Sequence, residues 1–473
     1  MPLDVGRIHL IGIGGIGISG IAEILHNLGY SVSGSDIADN ANVARLRKMG
    51  IVVFIGHQAS NIEGASVVVY STAVAKTNPE IVAAREKKIP VLHRAEMLAE
   101  IARLKATVAI AGTHGKTTTT TMNAAMFAAA GIDPTIINGG IINAYGTNAV
   151  LGKGDWLVVE ADESDGTFIK FPSTIGIVTN IDAEHLDYWG TFENIVEGFR
   201  TFIQNLPFYG LAVLCADHPT VAKLAREITD RRIITYSLNT ASDLRAVNLR
   251  FTPEGTQYDV EISERVDGGP RVLKDLLLPM PGVHNVENSL SAIAVALELK
   301  FGDDVIRKAL SQFSGVKRRF TRTGEANGIA IIDDYGHHPK EIQATLAAAR
   351  TLQQQRGKII AVAQPHRYSR LSSLFADFCN CFQNADTVII TEVYSAGETP
   401  IAGFDRDTLV EGIKKSGHKN VYALPDREKL AGLIAKHAKS GDMVVCLGAG
   451  SISQWAYQLP EELTALGAKD AVA

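Results

Sequence analysis

The segment Gly112-Thr113-His114-Gly115-Lys116-Thr117, running on into Thr118–Thr121, constrains the fold of this chain more than any other. A strand-like run, Thr107–Ala111, leads into it, and an Ala-rich stretch compatible with a helix leads out. A glycine turn between strand and helix aims backbone N–H groups at an anion, and the helix N-terminus adds its dipole. Lys116 can reach terminal phosphates and the Thr117 hydroxyl can hold Mg²⁺, so the segment reads as a nucleoside triphosphate cradle. Ile110 stands where the usual phosphate-loop pattern has its first glycine, so this loop is a shortened one.

A chain of 473 residues is too long for one core and corresponds to about three domains. A hydrophobic share of 46%, a charged share of 21% and a mean hydropathy of +0.08 describe an ordinary globular protein. A net charge of −5 and a pI near 6.2 supply no electrostatic footprint for nucleic acid or an anionic membrane. No stretch approaches about 18 uninterrupted apolar residues, and no basic-then-apolar leader opens the chain, so a cytoplasmic location is expected. The four cysteines, Cys215, Cys379, Cys381 and Cys446, are too scattered for a disulfide framework and read as reduced thiols. Cys379 shares a helical face with Leu371, Leu374, Phe375, Phe378 and Phe382, which predicts core packing.

The chain reads as three α/β units. In the first, a strand over 7–11 meets the turn Gly12-Ile13-Gly14-Gly15-Ile16-Gly17, then a helix to about Leu28 and a strand ending at Asp36. Strand candidates at 51–55 and 66–71 alternate with helical segments such as 78–88, the rhythm of a doubly wound parallel sheet. The second unit has strands near 157–161, 174–179, 211–215 and 232–236, a sheet extension between Asn239 and Pro281, and a closing helix over 286–300. The third has strands at 329–333, 358–363, 387–391 and 443–447 and a helix over 339–354. The expected limits are 1–104, 105–316 and 317–473, with Gly315–Phe320 as a glycine-led basic hinge.

Gly12, Gly14 and Gly17 fit G-x-G-x-x-G, with Asp36 at the end of the next strand; a nicotinamide or flavin dinucleotide and a UDP-linked sugar use the same grip. Four acids in six residues, Glu160 to Asp165, follow a strand; they read as a Mg²⁺ site beside a triphosphate or as a solvated acidic loop. His185, in Asn180–Asp187 after another strand, is a candidate metal ligand or a structural histidine. Asp333–Pro339 and Gln364–Arg370 end adjacent strands of the third unit, and the arginines there suit a carboxylate held in bidentate fashion.

Taken in order, GIGGIGISG, AGTHGKTTTT, EADESD, TNIDAEHLD, PGVHNVEN, GVKRRF, DDYGHHP and QPHRYSR resemble the Mur ligases of peptidoglycan synthesis, over nearly the whole chain from about Gly6 to about Trp455. The resemblance implies a Rossmann-like N-terminal domain, a central P-loop-type ATPase domain and a Rossmann-like C-terminal domain. It implies ATP-dependent amide formation between the lactyl carboxylate of UDP-N-acetylmuramate and L-alanine through an acyl phosphate, with ATP and Mg²⁺ (or Mn²⁺) required. It assigns catalysis to Lys116, Glu160, His185 and Arg319, and the metal to Thr117, Glu160 and His185. ATP would meet Gly112, Thr113, His114, Gly115, Lys116, Thr117, Thr118, Asn285, Asn288, Arg319 and Asp334. The UDP-sugar would meet Gly12, Gly14, Gly15, Gly17, Ser35, Asp36, Ser71 and Thr72, and the amino acid Tyr335, His337, Arg367 and Arg370. Several related ligases carry a carbamylated lysine about fifteen residues after the metal histidine; that spacing falls here on Arg200, so none is expected. The partners are these small molecules, not nucleic acid or membrane, with monomer and homodimer both open. A sibling ligase that attaches a recycled tripeptide, a nicotinamide-dependent oxidoreductase and an ATP-driven switch are the alternatives. The Tyr335–His338 and His366–Arg370 runs look like the alanine-adding pattern.

Overall fold

The computed structural model describes residues 5–71, 73–252, 254–353 and 357–470. The first sheet contains β1 (Arg7–Ile11), β2 (Ser31–Asp36), β3 (Val52–Ile55), β4 (Ala65–Tyr70) and β5 (Val91–His93), in the order β3-β2-β1-β4-β5. All its pairings are parallel. A parallel strand is covered on both faces and reads as a continuous apolar run, and in β1 Ile8, Leu10 and Ile11 are all fully buried. The following helix, Ile16–Asn27, buries Ile18, Ile21, Ala22, Ile24 and Leu25, one helical stripe. The chain steps outward from β1 through β2 to β3 and then crosses back to place β4 on the other side of β1, so the strand order reverses between β1 and β4. The crevice at that reversal receives the Gly12–Gly17 turn.

The second sheet has ten strands: β6 (Ala106–Ala111), β7 (Thr135–Ile142), β8 (Thr147–Val150), β9 (Trp156–Glu160), β10 (Ile175–Val178), β11 (Leu211–Cys215), β12 (Ile233–Ser237), β13 (Leu244–Thr252), β14 (Gly255–Ile262) and β15 (Arg271–Leu278). Their order is β15-β14-β13-β12-β11-β10-β6-β9-β7-β8. The extension after Asn239 was expected; the antiparallel β7–β8 pair was not. β6 lies between β10 and β9, parallel to both, so the loops leaving these three strands share one edge.

The third sheet comprises β16 (Thr321–Ala326), β17 (Ile329–Asp334), β18 (Ile359–Ala363), β19 (Thr387–Ile390), β20 (Val421–Ala423) and β21 (Met443–Leu447), ordered β16-β17-β21-β18-β19-β20. Among the described residues only β16, at the edge, pairs antiparallel in this sheet. Helix Pro339–Gln353 matches expectation, whereas the helix expected from Val286 starts at Val283.

By compactness the chain divides into two units. One runs up to Asn248 and adds Tyr258–Leu276 and Glu287–Gly315; the other is Leu249–Gln257, Leu277–Val286 and the chain from Val316. The first carries the first sheet and most of the second, and the other carries the third. All four cysteines are buried and unpaired, and Cys379 packs with Leu371, Phe378 and Phe382 as its helical spacing predicts. Among the described residues no helix is long and apolar enough to cross a membrane.

Candidate active site

The segment that leaves β6 bends through Gly112 (φ +130°) and Gly115 (φ +82°) into helix Lys116–Ala129, as the sequence predicts. The next strand over holds the bend. Thr113 N–H donates to Asn180 O (3.1 Å) and His114 N–H to Asn180 Oδ1 (2.7 Å). Thr179 Oγ1 and Asn180 Nδ2 donate to His114 O at 2.7 and 3.1 Å. Asp182 N–H donates to Thr113 Oγ1 (2.8 Å), and His114 Nε2 lies 3.2 Å from Asp182 Oδ2. A Cβ on Gly112 would stand 2.1 Å from Thr179 Oγ1 and 3.0 Å from its backbone N, at a φ that L-residues avoid. Gly112→Ala is therefore expected to weaken ATP-analogue binding at least tenfold by calorimetry and to lower the melting temperature; unchanged affinity would refute the packing argument.

Lys116 is enclosed. Its Nζ donates to Gly112 O (2.6 Å) and Thr113 O (3.0 Å) and pairs with Glu163, 2.9 Å from Oε2. Burial alone would lower its pKa, but the charges of Glu163, Asp162 and Glu160 more than reverse this and hold it firmly cationic. Glu160, ending β9, accepts from Thr117 Oγ1 (2.9 Å) and Gly139 N (2.8 Å). A carboxylate and a hydroxyl this close fit a hard divalent cation, since Mg²⁺ takes one or two protein oxygens and completes its shell with water and substrate phosphates. His185 lies elsewhere in this edge, 3.9 Å from Glu163 and 3.7 Å from Glu184. Among the described residues no three His, Cys, Asp or Glu side chains gather as a metal cluster. Thr118 is buried in the helix, and Asn288 lies against Gly115, whose absent Cβ would come 2.7 Å from Asn288 Oδ1. Arg200 pairs with Glu197 (3.2 Å) and with Glu227.

In the first domain Asp36 Oδ2 accepts from Gly14 N (2.8 Å) and its Oδ1 from Ala38 N (3.0 Å), so the acid shapes the turn itself. Gly12 and Gly15 close the turn by a Gly15 N to Gly12 O bond of 3.0 Å. Ser35 is fully buried and donates to Glu80 Oε2 (2.6 Å). Ser71 lies beside Gly12, and Thr72 is outside the described residues.

In the other unit Asp334 accepts from Phe320 N (2.8 Å), Gly336 N (2.8 Å) and Thr345 Oγ1 (3.0 Å). Burial raises its pKa, against the pull of Arg319. The Arg318 and Arg319 guanidinium carbons stand 4.7 and 5.2 Å from the Tyr335 ring centroid, and Asn285 Nδ2 donates to Pro281 O (2.7 Å). His337 links Tyr335 to His366 (ring centroids 5.1 and 5.7 Å), and Arg370 Nη1 reaches His366 O at 3.3 Å. Arg367, at φ +69°, donates its N–H to Tyr394 O (2.9 Å). Burial, then His337, Arg370 and Arg367, push the His366 pKa down to about 3, so this ring is neutral.

Sequence reasoning left several of these without a role. Glu163 was one acid among four, yet it meets Lys116. Tyr394 carried no motif, yet its ring stacks on His366 at 5.6 Å and 9°. Asn180 lies in a run after a strand that marks it no more than its neighbours, yet it holds the phosphate-loop bend.

A shortened phosphate loop flanked by carboxylates, on an α/β chain of three sheets, marks a protein that works on a nucleoside triphosphate, and the chain belongs to the Mur ligase family. The family's models match at residues 7–106 (Mur ligase family, catalytic domain), 110–296 (Mur ligase middle domain) and 318–450 (Mur ligase, glutamate ligase domain). Among its relatives is the UDP-N-acetylmuramate–L-alanine ligase of Rhodospirillum centenum, 62% identical over 98% of this chain and 96% of that one. The protein of the same name from Bradyrhizobium sp. strain BTAi1 is 60% identical over 99% and 100%. The solved structure of UDP-N-acetylmuramate-alanine ligase from Thermotoga maritima superposes with a TM-score of 0.81 at 30% identity, covering 98% of this chain and all of that one.

Proposed function

We infer that this chain ligates L-alanine to UDP-N-acetylmuramate with cleavage of ATP to ADP and phosphate, the first amino-acid addition in peptidoglycan synthesis. Relatives of that name at 60–62% identity over nearly full length support the substrates. The geometric observation that carries the chemistry is Lys116, held cationic among carboxylates at the edge shared by β6, β9 and β10. A lactyl carboxylate oxygen attacks the γ-phosphorus and ADP leaves; the alanine amine then attacks the acyl carbon, loses a proton, and phosphate departs. Lys116 and Arg319 would neutralise the migrating phosphoryl group, and positioning plus electrostatics supply most of the catalysis. Thr117 and Glu160 would hold one Mg²⁺ or Mn²⁺, and Glu160 with His185 a second, and these ions would supply Lewis-acid neutralisation of phosphate oxygens. Asn285, Asn288 and Asp334 would bind the nucleoside, and Gly12–Gly17, with Asp36, Ser71 and Thr72, the UDP part, while buried Ser35 supports the turn through Glu80. Tyr335, His337, Arg367 and Arg370 would hold alanine. Domain limits near 104 and 316 and a cytoplasmic location belong to the same proposal.

The test is phosphate release with ATP, Mg²⁺ and UDP-N-acetylmuramate, adding L-alanine, glycine, L-serine or the tripeptide in turn. Release that depends on L-alanine above the others is expected; dependence on the tripeptide alone would favour the recycling ligase, and ATP turnover indifferent to both co-substrates would overturn the reading. Arg367→Ala should raise the apparent KM for alanine at least tenfold with kcat changed less, because it removes ground-state binding of the amino-acid carboxylate. A KM within twofold of the parent would remove Arg367 from that role.

A further inference from the structure

The first domain reaches into the phosphate-loop edge through one side chain that no motif singled out. Arg94 opens helix Arg94–Ala102, whose N-cap is His93, closed by a capping box with Glu96. Its Nη2 donates to Asp162 Oδ2 at 2.9 Å, across 68 positions of sequence. Its Nη1 approaches the glycine turn, where a Cβ on Gly17 would come to 3.0 Å, so any larger residue there would crowd the guanidinium. His93 Nδ1, which accepts the Ala95 N–H in that cap, also lies 3.3 Å from Asp165 Oδ2. Asp162 is a neighbour of Glu163, the Lys116 partner, and it feels the charges of both Lys116 and Arg94. The arrangement is a line of alternating charge: first-domain guanidinium, Asp162, then the phosphate-loop lysine with Glu163 and Glu160 beside it.

Glu163 pairs with Lys116 directly, and the charges of Asp162 and Glu160 add to its pull, so together they compete with a phosphoryl group for the lysine's charge. A second cation on Asp162 reduces that competition. We propose that Arg94 is a positioning residue for the ligation reaction, which engages Asp162 from the first domain and thereby leaves Lys116 available to the transferring phosphoryl group. The inference rests on the Lys116 role proposed above. It gives the acidic run two duties: Glu160 and Glu163 serve the phosphate edge, while Asp162 and Asp165 face the first domain.

The experiment is a double-mutant cycle on the full-length enzyme with Arg94→Ala, Asp162→Asn and the pair, read as alanine-dependent phosphate release together with thermal melting. Arg94→Ala should lower kcat about 30-fold, with KM for alanine within about threefold, because Asp162 then holds Lys116. The double variant, having lost the competing carboxylate as well, should recover at least about tenfold of that loss in kcat. Arg94→Lys should fall between the parent and Arg94→Ala. A parent enzyme without alanine-dependent release would defeat the ligase reading itself. An active parent whose double variant stays as slow as Arg94→Ala would overturn the role of Arg94. So would a loss that follows the fall in melting temperature and is absent when the variants are assayed well below it, since that pattern belongs to a purely structural bridge.

Discussion

Lys116→Ala should abolish alanine-dependent phosphate release, with kcat lowered by about 10³-fold or more, because a preorganised cation aimed at developing phosphoryl charge is worth at least as much as one oxyanion-hole donor. The variant also strips Glu163 of its cation, and leaving one member of a buried pair alone costs on the order of 3–5 kcal/mol. Lost activity could then be mistaken for lost fold. The pair Lys116→Ala with Glu163→Gln separates the two, since a neutral amide needs no countercharge. Melting temperature should recover in the pair while turnover does not. Turnover near the parent's in a folded Lys116→Ala enzyme would refute the assignment. Calorimetric titration with an ATP analogue should show a smaller loss in binding than in kcat, the mark of an interaction that strengthens in the transition state.

Glu80→Ala should destabilise the protein by about 3–5 kcal/mol in urea unfolding, as it would orphan several buried donors at about 1–3 kcal/mol each, partly offset by relaxation. Glu80 is completely buried in the first turn of helix Pro79–Glu86. It accepts from Ser35 Oγ and Asn61 Nδ2, each at 2.6 Å, from Gln58 N at 3.2 Å, and lies 3.3 Å from His9 Nε2. It therefore fastens β1, β2 and the segment after β3 just below the strand ends that carry the glycine turn. A loss under about 1 kcal/mol would contradict the network's importance. The pH dependence has a definite sign. Burial raises the Glu80 pKa, but the bonds from His9, Ser35 and Asn61 and the charge of His9 outweigh it, leaving the group below its ordinary value of 4.5. A carboxyl with a depressed folded-state pKa contributes stability that is fully present above the unfolded value and is lost as pH falls through the folded one. Below pH 4.5 the parent should therefore lose stability more steeply than Glu80→Gln, measured by urea unfolding at a series of pH values. Parallel curves would sink the assignment.

Much of the fold was legible because its signals are local. Buried parallel strands such as Ile359–Ala363 and Met443–Leu447 are short apolar runs, and each precedes a turn and a helical stripe. The elements that escaped are those that burial does not mark. β16, Thr-Arg-Thr-Gly-Glu-Ala, is an edge strand with mostly exposed or half-buried side chains, and β20 is three residues long. In β7 the pair Gly139-Gly140 interrupts the apolar pattern, so the β7–β8 pair lacks the alternation that announces a strand. The polar residues that end recognised strands were legible for the same local reason. Tyr394 was not, because a bridge between His366 and Tyr394 brings together residues 28 positions apart in sequence.

By itself the sequence determined that a phosphate loop follows a buried strand, that acids and a histidine end later strands, and that a glycine turn opens the chain. Each of those depends only on neighbours along the backbone. Tertiary structure alone decided which acid meets which partner. With β6 between β9 and β10, Glu160 comes to Thr117 and Glu163 to Lys116, while Asp162 turns away to Arg94. Chain order cannot supply that sorting, because the distance between two strand ends is set by their places in the sheet, and in a doubly wound sheet those places do not follow the order of synthesis.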